Sequence, residues 1–497
     1  MNRDKFSSKK GFVLASIGAA VGLGNALRFP GLCARYGGGA YMLVYLVALV
    51  VLGVPLLNAE IALGRKYLSG APGCMENLKR GGNRLGWSAG VNSVFTAIIY
   101  AGLAGWIITM IFKIVPLSLN APSLSEGETA NYFFNEIINA RPDFSISSIS
   151  LFVLLAIVAA WLLIFICLKG GAKGISKAAQ FTVIIPVILF TAMAVRGMFY
   201  SNSGEALAKL FTPDFSCLIN PQMWLSALGQ VFFSLSVAVG IMPAYGSYLP
   251  QGTGIFSCSL LIAMADFFVS LLSSVVLFTT LYGCGLSEFI GESGIITAFK
   301  VYPVAITKLF GDNTVLNAAV GVFFYASLAM MAVQAAVSML EAFLNPFLEH
   351  TGKNRTRLSA SVCGLGLILG VFFATDGAVT AVNISDKVVN FYNVLILAIA
   401  ECLIIGTSGQ TKSLADEINK FSKRLKMPKK LFEISIKFLS PAILIFLAGF
   451  EIADIVLFGL GAPLWAQIAF GWSVSFIVIL SGFAVNSNFG KRSAKSA

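Results

Sequence analysis

The sequence predicts an all-α polytopic membrane protein of about twelve transmembrane helices, on three observations. Hydrophobic residues make up 57% of the 497 and charged residues only 12%, about half the charged share of a water-soluble domain. The apolar residues gather into uncharged stretches of about 20, the length that crosses a bilayer as helix. Lys and Arg collect in alternate connections between those stretches.

Tyr41–Ala59 and Ser147–Leu168 are the cleanest stretches. Others lie near 11–34, 88–112, 178–195, 223–249, 255–284, 314–340, 358–375, 388–406, 438–457 and 463–484. The runs are continuous, without the apolar/polar alternation of a membrane barrel. The first follows Arg3, Lys5, Lys9 and Lys10 as a signal peptide would, but it carries Arg28 and no small-residue cleavage site, so it reads as a retained helix. Connections at 116–146, 200–222, 285–313 and 408–437 are too short for separate domains, so 1–497 reads as one transmembrane unit.

The net charge of +12 is a matter of topology rather than of nucleic acid. About 26 of the 35 basic residues fall on one side: the amino terminus, the 65–86 loop, Lys169, Lys173, Lys177, Lys353, Arg355, Arg357, the 408–437 loop and the tail. Both termini are therefore expected in the cytoplasm of a cell membrane protein. Eight Cys without a Cys-x-x-Cys pair, and His350 alone, offer no zinc site, disulfide framework or catalytic constellation. A continuous polar pore is lacking too, which disfavours a channel.

Two spans carry the clearest irregularity. The first reads Gly18-Ala19-Ala20-Val21-Gly22-Leu23-Gly24-Asn25, and each glycine weakens a helix by about 1 kcal/mol relative to Ala. The sixth reads Phe233-Ser234-Leu235-Ser236-Val237-Ala238-Val239-Gly240, with Pro243 just after. Broken spans at matching places in two halves point to a midplane site between inverted repeats. Helices 1–5 (1–200) and 6–10 (201–407) are the expected repeats, with two further helices in 408–497.

The residues Ala20-Val21-Gly22-Leu23-Gly24-Asn25, Leu27-Arg28-Phe29-Pro30, Gly53-Val54-Pro55-Leu56, Phe211-Thr212-Pro213-Asp214-Phe215 and Gly229-Gln230-Val231-Phe232-Phe233-Ser234 resemble the neurotransmitter:sodium symporter family, most closely its bacterial amino-acid transporters. The resemblance implies the leucine-transporter fold and cation-coupled symport of an amino acid by alternating access. It implies that the substrate carboxylate meets Ala20, Gly22, Leu23, Gly24 and Tyr100, and its amine the carbonyls of Ala20, Phe233 and Ser234 and the hydroxyl of Ser236. Gly22 leaves room for a substrate that brings its own carboxylate. The side-chain pocket would be Thr96, Tyr100, Phe233, Val239, Ala335 and Met339, which suits a neutral, hydrophobic or aromatic amino acid.

By the same resemblance a first sodium ion would meet Ala20, Asn25, Ser234 and Asp266. Asp266 stands where the family carries Asn, and a carboxylate at membrane depth is a functional candidate by default. It is expected to supply the negative charge that makes chloride unnecessary, despite Tyr45, Gln230, Ser234 and Ser270. A second site would use Gly18, Val21 and Met331, but Gln334 and Ala335 stand where two hydroxyl residues belong. Gln334 can offer an oxygen and Ala335 none, so one sodium ion, or a proton through Asp266, is the expected coupling. Arg28 with Asp386 would close the outside under a Phe233 lid. Arg3 with Glu349, helped by Ser247 and Tyr248, would close the inside, where Phe6 replaces a tryptophan. Glu60 and Glu401 are expected to be structural. Lipid and an amino acid are the expected partners, and a sensor that binds without transport, or a sodium-independent transporter, remain alternatives on the same scaffold.

Overall fold

The computed structural model describes residues 5–121, 125–140, 147–291, 294–422 and 425–484. Among them there is no β-strand, only isolated bridges such as Gly38 with Pro213. The helices run in chain order as α1 (α1a, Lys9–Ala20; α1b, Gly24–Arg35), α2 (Gly39–Tyr67), α3 (Asn83–Asn120), α4 (Leu151–Leu168) and α5 (Gly171–Gly197). They continue as α6 (α6a, Pro221–Ser234; α6b, Ile241–Ser247), α7 (Ile255–Gly283), α8 (Thr314–Thr351), α9 (Arg355–Ala374), α10 (Ala378–Thr407), α11 (Lys429–Ala453) and α12 (Leu464–Ala484). Ten of these are long and apolar enough to cross a membrane unaided, and α1 joins them when its halves are taken together. The halves of α6, at 14 and 7 residues, are each too short to cross.

Several helices outrun their apolar windows. α3 and α8 each extend to 38 residues. α8 continues past Glu341 because that buried carboxylate is paired with Arg355 and so does not interrupt the packing. Short helices such as Ala71–Leu78, Glu126–Tyr132 and Thr411–Asn419 cap the bundle ends. In the connection from α7 to α8, the consecutive helices Thr297–Val301 and Tyr302–Lys308 are buried, the second packed on α8 and α3.

α3 and α8 pack along the centre, and α4, α9, α11 and α12 show apolar side chains outward, as lipid-facing helices do. Leu155, Ile166, Ile368, Phe446 and Phe476 are all exposed. α2 and α6b cross at backbone distance: a Cβ on Gly64 would lie 2.1 Å from the Pro243 carbonyl, and one on Gly246 would lie 2.5 Å from that of Ile61. Gly64→Val should therefore destabilise the fold by about 1–3 kcal/mol, seen as a lower melting temperature in detergent. An unchanged melting temperature would show that this crossing is not tight.

Candidate substrate and cation site

Both breaks lie where backbone groups must find partners without water. In α1 the helix stops at Ala20, Val21 is extended (φ −79°, ψ 100°), and the two halves meet at 52°. The Gly22 N–H, which a continuous helix would send to Gly18, goes to Asn25 Oδ1 at 3.0 Å. α1b then resumes in a wide turn in which Phe29 N–H reaches the Gly24 carbonyl. In α6 the chain leaves the helix after Ser234 and passes through left-handed backbone at Ser236 (φ 52°), Ala238 (63°) and Gly240 (80°).

Four polar contacts hold the unwound α6 segment. Ser236 Oγ donates to the Ala19 carbonyl at 2.8 Å, which ties one break to the other. Ser93 Oγ on α3 donates to Val239 O at 2.6 Å. Glu60 Oε1 on α2 accepts the Ala238 N–H at 2.5 Å, and the Leu235 N–H returns to Val231. Glu60 thus has the structural place expected of it. Glu401 is equally buried.

Between the breaks lies a cavity of about 30 Å³. Ala20, Gly22, Gly24, Thr96, Tyr100, Phe233, Ser234, Ser236, Val239, Ala335 and Met339 line it, so the expected substrate residues converge except for Leu23. Leu23, in helical backbone (φ −59°, ψ −27°) just before α1b, faces the next cavity instead. The space beside Gly22 is free: a Cβ there would have only Tyr100 within 4 Å, at 3.9 Å. Ser93, Phe232, Asn390 and Val394 also line the cavity and were not anticipated. Ser93 was within reach of sequence reasoning, since it lies three residues before Thr96 on one face of α3.

Against this cavity sits an oxygen cage. Asn25 Nδ2 lies 2.7 Å from Asp266 Oδ1, 2.8 Å from Ser234 Oγ and 2.8 Å from Ser270 Oγ. Ser234 Oγ donates to Asp266 Oδ1 at 2.6 Å and Tyr45 Oη donates to Oδ2 at 2.8 Å. With the Asp266 carbonyl at 3.4 Å, four oxygens thus converge on one point that two amide hydrogens cannot fully serve. A hard cation takes oxygen ligands, and one at this point would need the Asn25 amide to turn its own oxygen inward. Gln230 is fully buried, and among the described residues neither of its amide atoms has a hydrogen-bond partner.

Above the cavity a vestibule of about 370 Å³ shares Gly24, Tyr100 and Phe233 with it. The Arg28 guanidinium lies 5.7 Å from the centre of the Phe233 ring, so these two side chains form the partition. Arg28 and Asp386 face the same vestibule without an ion pair between them, and Asp386 accepts instead from Asn390 Nδ2 at 2.7 Å.

The opposite end, where α1a begins, is held by a separate set of contacts. Arg3 lies outside the described residues. Glu349 accepts from Ser69 Oγ at 2.9 Å. Tyr248 Oη donates to Glu341 Oε1 at 2.6 Å rather than serving Glu349, and Ser247 bonds its own helix at Ala244. Glu341 pairs with Arg355, whose Nε reaches Leu168 O at 3.0 Å, so α4, α6b, α8 and α9 are joined at one buried carboxylate. Sequence reasoning had left Arg355 as a loop charge. Phe6 is 3% exposed, edge-on to Phe12, Tyr245 and Tyr248, and its N–H reaches Tyr248 O at 3.1 Å.

Removing one partner of a buried ion pair costs about 3–5 kcal/mol. Arg355→Met should therefore loosen this end selectively, speeding amide hydrogen exchange in Ile241–Ser247 while leaving α7 unchanged. Equal exchange in both proteins would remove the pair from the closure.

The comparisons with known proteins show the family. The description of the sodium:neurotransmitter symporter family matches residues 3–123 and 120–488. An uncharacterised sodium-dependent transporter of Methanocaldococcus jannaschii is 30% identical over 434 residues, 85% of each chain. The sodium-dependent neutral amino acid transporter B(0)AT3 of Mus musculus is 32% identical over 56% of this chain, which spans about half (48%) of that relative. The crystal structure of MhsT in complex with L-phenylalanine matches 90% of this chain and 100% of its own with a TM-score of 0.76 at 24% identity, a likeness of fold. On the family match and the archaeal relative together, this chain belongs to the sodium:neurotransmitter symporter family.

Proposed function

We propose that the chain is a sodium-coupled symporter that moves a neutral, hydrophobic or aromatic α-amino acid across a cell membrane by alternating access, with both termini in the cytoplasm. The observation that carries this reading is the oxygen cage of Asn25, Ser234, Asp266 and Ser270 set against a cavity between two helix breaks. The neutral amino acids named for the mammalian relatives and the L-phenylalanine in MhsT support the substrate class.

The chemistry follows from the ends of the half-helices. The amino end of α1b offers N–H groups and positive dipole to the substrate carboxylate, and Tyr100 a hydroxyl beside it. The carbonyl ends of α1a and α6a face the ammonium group. Ser236 has its proton committed to Ala19, so its oxygen is left to accept from that ammonium. The polar side chains of the region, Ser93, Thr96, Tyr100 and Asn390, carry no charge, and Ser93 and Thr96 have their protons on the carbonyls of Val239 and Asn92 at 2.6 and 3.1 Å. A cavity of 30 Å³ is too small for an aromatic side chain. Phe233 and Met339 therefore have to shift as substrate enters from the vestibule, and Arg28 then closes toward Asp386. The two five-helix repeats, 1–200 and 201–407, would each supply one broken helix to this site, about which helices move in alternating access, with 408–497 outside the movement.

Charge balance favours the same scheme. A zwitterionic substrate adds no net charge, so one sodium ion against ionised Asp266 leaves the buried site neutral, and a buried net charge is costly. Asp266 takes its donors from Tyr45, Ser234 and Asn25, the groups that would otherwise hold an anion, so chloride is not required.

In proteoliposomes, uptake of L-phenylalanine should follow an inward sodium gradient and persist when gluconate replaces chloride, while Asp266→Asn should make uptake chloride-dependent. Collapse of wild-type uptake in gluconate would refute chloride independence, and uptake indifferent to sodium would refute the coupling. Gly22→Asp sets a second carboxylate beside that of the substrate, and like charges at contact cost several kcal/mol, so amino-acid binding should weaken about 100-fold. Retained affinity would place the carboxylate elsewhere.

A further inference from the structure

We propose that the side-chain amide of Gln334 takes the place of a second cation where α1a, α5 and α8 meet, so that the chain carries a single sodium ion per cycle. The inference rests on the sodium-coupled reading and deepens it.

α1a ends at Ala20 with its carbonyls toward the interior, an end equivalent to about half a negative charge. The Gly18 carbonyl has lost its helical donor, because the Gly22 N–H is turned to Asn25. Something positive or donating has to meet that end, and a hard cation would need oxygen from the facing helix. The facing residues on α8 do not supply it. Ala335 has no oxygen and lines the substrate cavity. Gln334 is 1% exposed and packs on Gly18 so closely that a Cβ there would lie 2.7 Å from its Cγ and 3.3 Å from its Cδ.

The orientation of that amide decides its role. Its Oε1 lies 3.2 Å from Thr182 Oγ1 on α5, whose single proton it shares with the Ala178 carbonyl at 3.1 Å. That leaves Nε2, buried and without a hydrogen-bond partner among the described residues, on a side chain whose Cγ and Cδ pack against Gly18 at the end of α1a. An amide nitrogen is a donor with partial positive charge on a neutral, tethered group. It can answer the carbonyl end as an ion would, and it cannot dissociate. The charge balance at Asp266 points the same way, since a second cation would leave the buried site positive. Gly18 then acts as the seat for the Gln334 stem, and Thr182 as the residue that sets which end of the amide faces inward.

The test is a count of bound ions on the purified protein, using 22Na+ with L-phenylalanine present. Wild type should saturate at one ion per chain. Gln334→Thr combined with Ala335→Ser, which supplies two hydroxyl oxygens, should saturate at two, and the sodium dependence of uptake should change from hyperbolic to sigmoidal. Two ions on the wild type would overturn the proposal, as would a double variant that stays at one with an unaltered melting temperature. If the double variant does not fold, Gln334→Glu, which keeps the shape and replaces the donor by oxygen, is expected to reach two and overturns the proposal if it stays at one. No ion on the wild type but one on the variant would sink sodium coupling at Asp266 and still support the replacement by Gln334.

Discussion

A helix interrupted at membrane depth releases backbone donors and acceptors that lipid cannot satisfy. In this chain the hydrogen bond from Ser236 to the Ala19 carbonyl joins the two interruptions directly. Ser93, Glu60 and Asn25 take up neighbouring groups from three different directions. The breaks are thus supported by α2 and α3 and by each other, and the space between them keeps a fixed polar lining. Remove that mutual support and neither half-helix has a reason to stop where it does.

The same economy governs charge. Acids and bases at membrane depth are few, and each has a distinct setting. Asp266 is held by three donors next to the cavity, Glu341 is paired with Arg355 at the end where α1a begins, and Arg28 stacks on Phe233 at the vestibule floor. One of these sits at the site and the others lie at its two boundaries. A movement that opens one end has to exchange these partners rather than expose a bare charge, which gives alternating access its discrete states.

Polar residues without charge carry as much of the design. Gln230 and Gln334 are both buried amides, and both have side-chain amide atoms without hydrogen-bond partners among the described residues. An amide can face its surroundings as donor or acceptor, so its neighbours decide its role. Thr182 does this for Gln334.

Much was legible in the sequence. Uncharged runs of bilayer length fixed the helices, because a chain with 12% charged residues has no other way to satisfy its backbone in lipid. The glycines around Val21 and the hydroxyl residues around Ser236 announced the breaks through weak helix propensity, and Asp266 stood out because a carboxylate is costly there. Other features depend on distances between helices that no local pattern encodes. Leu23 faces the vestibule rather than the cavity, Tyr248 donates to Glu341, and Arg355 is half of a buried pair. The sequence by itself determined which segments enter the membrane and where they fail as helices, since hydrophobicity and propensity are properties of short stretches. Only the tertiary structure decided which partner each released polar group found, because those partners lie up to hundreds of residues apart and meet only when the helices pack.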